Sequence, residues 1–310
     1  MWPRGSRDEG AGESCYLEHV ASIPPPPPLR ELRAIQVAIA CSIIGAVAKF
    51  VVGYLTGSMS MISSGVDSVG DLFVSFTNLF VVRIAARAPD EDHNYGHTKA
   101  EGLGAMFEGG FIFASGAFII YEAIHRITTP GHERDSTLGI LVMLPIIGMT
   151  IGTVLFLRKV AVATGSLVVK ADAIHYLSDV YINVGVLVAL GLTKITGIGI
   201  IDPIIAVLIA LNMFRASWGV VREGVAIVMD ESLDQETVAK VRDVLSSTPG
   251  IDSFHDLKTR VGKIPHVDFH VVVSGDTSTK QVHDVYLDIR RRIREIVGPT
   301  TKVLMHADPK

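Results

Sequence analysis

Four residues, two on each of two apolar stretches, have the types and spacing to hold a dication. Asp67 and Asp71 stand four apart in Ser58 to Val82, and His175 and Asp179 stand four apart in Ser166 to Leu192. On helices, each pair lies one turn apart on one face. Three carboxylates and an imidazole suit Zn²⁺. The lack of thiolate or thioether argues against Cu(I) and leaves Fe²⁺, Cd²⁺, Co²⁺ and Mn²⁺ as chemical alternatives. No basic residue lies on either face below Lys170, so the pairs read as ligands to one ion. The bland alternative is a set of polar groups that pack helices through hydrogen bonds and ion pairs.

Both stretches carry more polarity on the same side. Asp172 and Asn183 share the face of His175 and Asp179, while Ser60, Ser64, Ser75 and Asn78 extend the stripe of Asp67 and Asp71. Ionisable groups at membrane depth face a partner or an aqueous cavity. Without metal, the like charges of Asp67 and Asp71 sit close together in a poorly hydrated place. Bound carboxylates and imidazole must be deprotonated, so metal and protons compete for the same ligands. That competition is the minimal chemistry of an antiporter.

Two further constellations lie outside the apolar stretches. Asp90, His93 and His97 occupy a short polar connection, APDEDHNYGHTKAE, and form either an exposed metal site or a solvated acidic loop. Five of the eleven histidines, His255, His266, His270, His283 and His306, fall in the last part of the chain, with Asp256, Asp268, Asp284 and Asp308 near them. This density favours one or two regulatory metal sites without fixing the ligands. On a strand, His266, Asp268 and His270 point the same way.

The elements that must position these groups follow from composition. The chain has 310 residues, 48% of them hydrophobic and 19% charged, with a mean hydropathy of +0.40. That is the composition of a polytopic membrane protein. Six windows approach or exceed the ~20 apolar residues needed to span a bilayer: Ala34 to Leu55, Ser58 to Ile84, Gly102 to Ile124, Leu138 to Val160, Ser166 to Leu192 and Ile200 to Val220. In the third, Gly102, Gly104, Gly109, Gly110, Ser115 and Gly116 allow close helix approach. Asp202 and Pro203 read as the cap and first residue of the sixth helix. Lys49, inside the first window, must snorkel or face protein.

Lys and Arg are biased toward the segments flanking the second and fourth connections and both ends of the six-helix block, which puts both termini in the cytosol. Residues 1–33, with the run Pro24 to Pro28, read as a disordered tail rather than a cleaved signal. A net charge of −4 gives no argument for a nucleic-acid partner, and none is expected. Cys15 and Cys41 make neither a disulfide framework nor a thiolate site. The division is therefore a tail (1–33), a six-helix transmembrane domain (34–228) and a small cytosolic domain (229–310). In the last, helical spacing over Asp234 to Ser247 and Ser278 to Val297, and strand alternation over Phe254 to Val261, His266 to Val273 and Thr301 to His306, give an αββαβ order. That order suggests a ferredoxin-like α+β sandwich.

The stretches GSMSMISSGVDSVGD, DEDHNYGHTKAE and KADAIHYLSD and the closing MHADP resemble the cation diffusion facilitator family, over nearly all of the chain after residue ~31. The pairing of Asp67 and Asp71 with His175 and Asp179 is similar to the bacterial zinc and iron branch, where these positions form the transport site. The resemblance implies a homodimer in the lipid membrane, joined through its cytosolic and membrane domains. It implies export of divalent cations against protons by alternating access; the bacterial-like tail and compact loops favour a prokaryotic inner membrane. It also implies an interfacial site at Asp90, His93 and His97, and a binuclear site drawn from His255, His270, His283, His306 and Asp308. Lys99 and Asp230 fall where the family has a charge pair between membrane and cytosolic parts; His266 and Asp268 are not carried over. Glu108 is an extra acid in the third helix, either a proton carrier or an internally paired structural acid. A metalloenzyme is disfavoured because the quartet fills a tetrahedral ion and leaves no open position. A non-transporting membrane sensor or binding partner is the remaining alternative.

Overall fold

A computed structural model of the chain describes residues 29–56, 59–128, 137–196, 198 and 200–310. Six long helices occupy the first part: α1 (Leu29–Thr56), α2 (Met59–Ala85), α3 (Ala100–Thr128), α4 (Thr137–Thr164), α5 (Leu167–Thr196) and α6 (Ile201–Val228). Five of them, α1 to α4 and α6, are long and apolar enough to cross a membrane. α5, at 30 residues, reaches about 45 Å at ~1.5 Å per residue, ample for a span. Its apolar character is diluted by Lys170, Asp172, His175 and Asp179. It packs against α4, α6 and α3, and residues 167 to 169 and 171 to 173 at its start are all buried. Phe76, Phe80, Phe113, Leu155 and Leu208 are exposed on the outside of the bundle, where hydrocarbon would cover them.

The close approach expected of the third window is present, and α6 is the partner. A Cβ on Gly102 would stand 2.9 Å from Gly224 O, and one on Gly224 would stand 2.7 Å from Gly102 O, so the two backbones touch. Ser217 Oγ donates to Gly109 O at 2.6 Å, in the same seam. Gly110, by contrast, faces open space and has no part in it.

Two boundaries differ from expectation. α1 opens at Leu29, so residues 29–33 belong to a helix and not to the tail; LRELR is made of good helix formers, and Glu31 in its first turn is buried. The rest of the tail, with the proline run, lies outside the described residues. α6 opens two residues early, with Ile200 as a cap that offers no side-chain bond. Asp202 and Pro203 are therefore second and third in the helix, where a proline is still tolerated because a first-turn N–H has no intrahelical acceptor.

The C-terminal part adds α7 (Gln235–Ser246), β1 (Ser253–Arg260), β2 (His266–Val273), α8 (Thr279–Val297) and β3 (Lys302–Pro309). Asp234 caps α7 by accepting Thr237 N–H, and Ser278 with Gln281 forms a capping box at α8. β1 pairs antiparallel with β2, and β2 parallel with β3. Val267, Phe269, Val271 and Val273 of β2 are buried against Val241, Leu245, Ile289 and Ile293 of the two helices, so His266, Asp268 and His270 occupy the other face. β3 runs three residues beyond the expected stretch, which places Asp308 on the sheet beside the histidines. Crowding the α3–α6 seam tests its tightness: Gly224→Val should destabilise the detergent-solubilised protein by about 1–3 kcal/mol. The check is its thermal unfolding midpoint; an unchanged midpoint would mean that the seam is loose.

Candidate metal centres

The first centre opens into a cavity of about 470 Å³ among the membrane helices, to which α2 contributes Asp67 and Asp71 and α5 contributes His175 and Asp179. His175 Nε2 lies 3.1 Å from Asp71 Oδ1 and 3.9 Å from Asp179 Oδ2. Those three offer ligand atoms within 4.8 Å of one another. Asp67 lines the same cavity a turn away on α2 but stands outside that trio, on its exposed side. The i, i+4 spacing thus aims both pairs into one space, as helical geometry requires.

The polar stripe on α2 divides in two. Ser64, Ser68 and the two acids line the cavity, whereas Ser75 and Asn78 are fully buried. Ser75 Oγ is 3.0 Å from Tyr176 Oη, which donates to Ala38 O. Asn78 Nδ2 donates to Glu108 Oε2 at 3.1 Å and to Asp172 Oδ1 at 3.2 Å. Glu108 is therefore internally paired, and Asp172 sits with it rather than in the cavity. The side chain of Ser60 lies outside the described residues.

One expectation fails. A basic group does reach the site, from a third helix. Lys49 of α1 is buried, lines the cavity, and donates to Ser68 Oγ at 2.9 Å and Ser64 O at 3.4 Å. Examining only the two ligand-bearing faces could not find it, because tight α1–α2 packing brings it there. Its presence as a lone cation in an apolar window was the available signal.

In the connection between α2 and α3, Asp90, His93 and His97 come together as a second cluster. Asp90 Oδ1 accepts His93 N–H at 2.7 Å and lies 3.2 Å from His93 Nδ1; Asp90 Oδ2 is 3.2 Å from His97 Nε2. The backbone N–H of His93 foremost, then the two rings, hold Asp90 below the usual carboxylate range. His97 Nδ1 is buried without a hydrogen-bond partner.

Strand register builds the third. His255 pairs with His270 across β1–β2, and His270 with His306 across β2–β3. Asp308 Oδ2 lies 3.2 Å from His255 Nε2 and 3.1 Å from His270 Nδ1, and its Oδ1 lies 3.3 Å from His306 Nε2. A bulge after His255, with Asp256 at φ 52°, bends the edge strand at this point. The hydrogen bond from His270 foremost holds Asp308 low. His283 is not brought in; it stands exposed on α8 beside Tyr286. His266 is also apart, with both ring nitrogens 3.2–3.3 Å from Arg260. Lys99 and Asp230 do pair, at 2.9 Å, and Arg260 joins Asp230 at 3.1 Å; Lys99 foremost holds Asp230 low.

A helical bundle with carboxylate–imidazole clusters within it and on an attached α+β domain defines a polytopic membrane protein equipped to bind metal. The chain belongs to the cation efflux family. Residues 35–229 match the family's cation efflux transmembrane domain, and residues 233–310 match the cation efflux protein cytoplasmic domain. The cation-efflux pump FieF of Shewanella oneidensis is 31% identical over 277 residues, 89% of this chain and 93% of that protein. FieF of Citrobacter koseri is 33% identical over 278 residues, 88% and 92%. Among solved structures, the putative zinc transporter CzrB (Zn form) matches 26% of this chain and 94% of its own at 32% identity, with a TM-score of 0.24.

Burial, then Arg260 and Lys302, push His266 down to about 4 from an ordinary 6.5. The unfolded chain therefore binds this proton more readily. The stability that neutral His266 contributes is complete above pH 6.5 and lost as the pH falls toward 4. In His266→Asn, the unfolding midpoint should depend less steeply on pH across that window, by up to about one proton. An unchanged slope in thermal melts would contradict this assignment.

Proposed function

We propose that the protein is a secondary active transporter that exports divalent metal cations, Zn²⁺ foremost, in exchange for protons. The observation that carries this reading is the meeting of Asp71, His175 and Asp179 within 4.8 Å in a cavity among the membrane helices, with Asp67 on its wall. An ion entering beside Asp67 would exchange its water for these ligands and displace the protons they hold. Lys49 offsets part of the acids' charge while the metal is absent and repels the bound ion, which favours its release. Two relatives described as cation-efflux pumps support export as the direction.

The remaining parts fit a regulated homodimer in a prokaryotic inner membrane, with a membrane domain over residues 34–228, a cytosolic domain over 229–310 and both termini cytosolic. Asp90, His93 and His97 take a second ion. His255, His270, His306 and Asp308 take a third, and His283, standing apart, serves a further ion of a binuclear cluster. Metal here cancels carboxylate charge, draws the two cytosolic domains together and biases the membrane part. The imidazole at 175 beside carboxylates ranks Zn²⁺ first, with Cd²⁺, Fe²⁺, Co²⁺ and Mn²⁺ as alternatives for the same donors.

Vesicle flux decides. Asp179→Ala should abolish Zn²⁺ uptake into proteoliposomes while the protein remains a folded dimer, and wild-type uptake should collapse when the pH gradient is dissipated. Equal flux in both proteins would favour a non-transporting sensor, and gradient-independent flux would remove the antiport.

A further inference from the structure

The turn between β1 and β2, residues 261–265, reaches from the cytosolic domain onto the ends of the membrane helices. Lys263 Nζ donates to Glu101 Oε1 at 2.7 Å and to Glu31 Oε1 at 3.0 Å. Both carboxylates are almost wholly buried, Glu31 being 4% and Glu101 2% exposed. Two buried acids held by one ammonium make a costly arrangement to disturb, because withdrawing the cation leaves both charges uncompensated.

Glu101 has a second engagement. Its other oxygen accepts the backbone N–H of Leu167 at 2.9 Å. Leu167 is the first residue of α5, where the opening amides have no intrahelical acceptor and negative charge is favoured. Ser166 Oγ serves Val169 N–H in the same turn. Glu101 thus joins the start of α3 to the start of α5, and Glu31 adds the start of α1. His175 and Asp179 follow on α5, about 12 and 18 Å from Leu167 at ~1.5 Å per residue.

The turn is held firmly on its own side. Gly262 adopts φ 150°, Val261 N–H donates to Glu231 O, and Lys302 N–H donates to Pro265 O. Arg260, which precedes the turn, pairs with Asp230 and lies over the Tyr95 ring at 5.1 Å. Tyr95 belongs to the connection that carries Asp90, His93 and His97. The turn therefore reaches the starts of α1 and α3 directly and the start of α5 through Glu101, while Arg260 beside it contacts the connection that carries the loop centre.

We propose that Lys263 is a positioning residue: through Glu101 it fixes the cytosolic end of α5, so that displacement of the cytosolic domain is passed to His175 and Asp179. The proposal rests on the transport reading and deepens it, by naming the physical link through which the cytosolic domain acts on the membrane site. A helix moves its side chains as a unit, and small shifts at its end re-aim ligands further along.

The test combines hydrogen exchange on the full detergent-solubilised chain with Zn²⁺ flux in proteoliposomes. In Lys263→Met, amides 167–170 should exchange about tenfold faster or more. Maximal flux should fall about five- to tenfold, with the half-saturating Zn²⁺ concentration within about twofold of wild type. Lys263→Arg should restore both. Glu101→Gln reads the same link if Lys263→Met fails to fold, and should speed exchange at the same amides. Unchanged exchange at 167–170 in the folded variants would overturn the proposal, as would acceleration spread evenly over all six helices or failure of Lys263→Arg to restore. If wild type moves no Zn²⁺, the transport reading fails, while local exchange still decides whether the link exists.

Discussion

Placing Asp71, His175 and Asp179 around one cavity at membrane depth costs free energy that a helix bundle must recover elsewhere. A charged side chain in a bilayer centre is unfavourable by several kcal/mol, roughly 2.5–3.5 on insertion scales, and here several acids share one small space. The rest of the membrane domain can be understood as meeting that cost. α3, α4 and α6 pack against α5, whose first turns are largely buried. The glycine seam draws α3 and α6 together beside it. Lys49 supplies a cation from α1, and Asn78 ties Glu108 to Asp172 one turn below the ligands. A bound dication would complete the compensation, which is why occupancy and protonation are expected to exclude each other.

Local geometry was the most legible part. The i, i+4 pairs on α2 and α5 need only helical periodicity to share a face, and alternation along β2 needs only the pleat to place His266 and His270 opposite its valines. The six windows and the αββαβ order follow from the same two periods. What escaped was set by packing between elements distant in the chain. Lys49 reaches the acids through α1–α2 contact, and Asp67 falls outside the tight trio although it lines the same cavity. The third centre's ligands were separable only by register: His255, His270 and His306 are neighbours across three strands, while His283 is equally close in sequence but projects from a helix. The family resemblance had grouped all of them.

The cytosolic domain is more than a separate histidine cluster appended to a bundle. Arg260, just before the β1–β2 turn, and Lys263, within it, contact respectively the Asp230–Lys99 pair with Tyr95 and the Glu31–Glu101 pair. Positive charges from the sheet are thereby set against acids at the ends of α1, α3 and α6. Exposed pairs of this kind contribute little to stability, but the Glu31–Lys263–Glu101 group is buried and has a defined geometry. Buried ionic groups can fix one arrangement among several at the expense of stability. That property suits a junction which must transmit a displacement rather than merely adhere.

The most direct measurement is an experimental structure of the protein in lipid at saturating Zn²⁺ and neutral pH. An ion should lie between α2 and α5 with Asp71, His175 and Asp179 at about 2.0–2.2 Å, and Asp67 should have closed onto it as the fourth ligand. Zinc confined to the loop and cytosolic clusters, with the membrane cavity empty, would contradict the central claim.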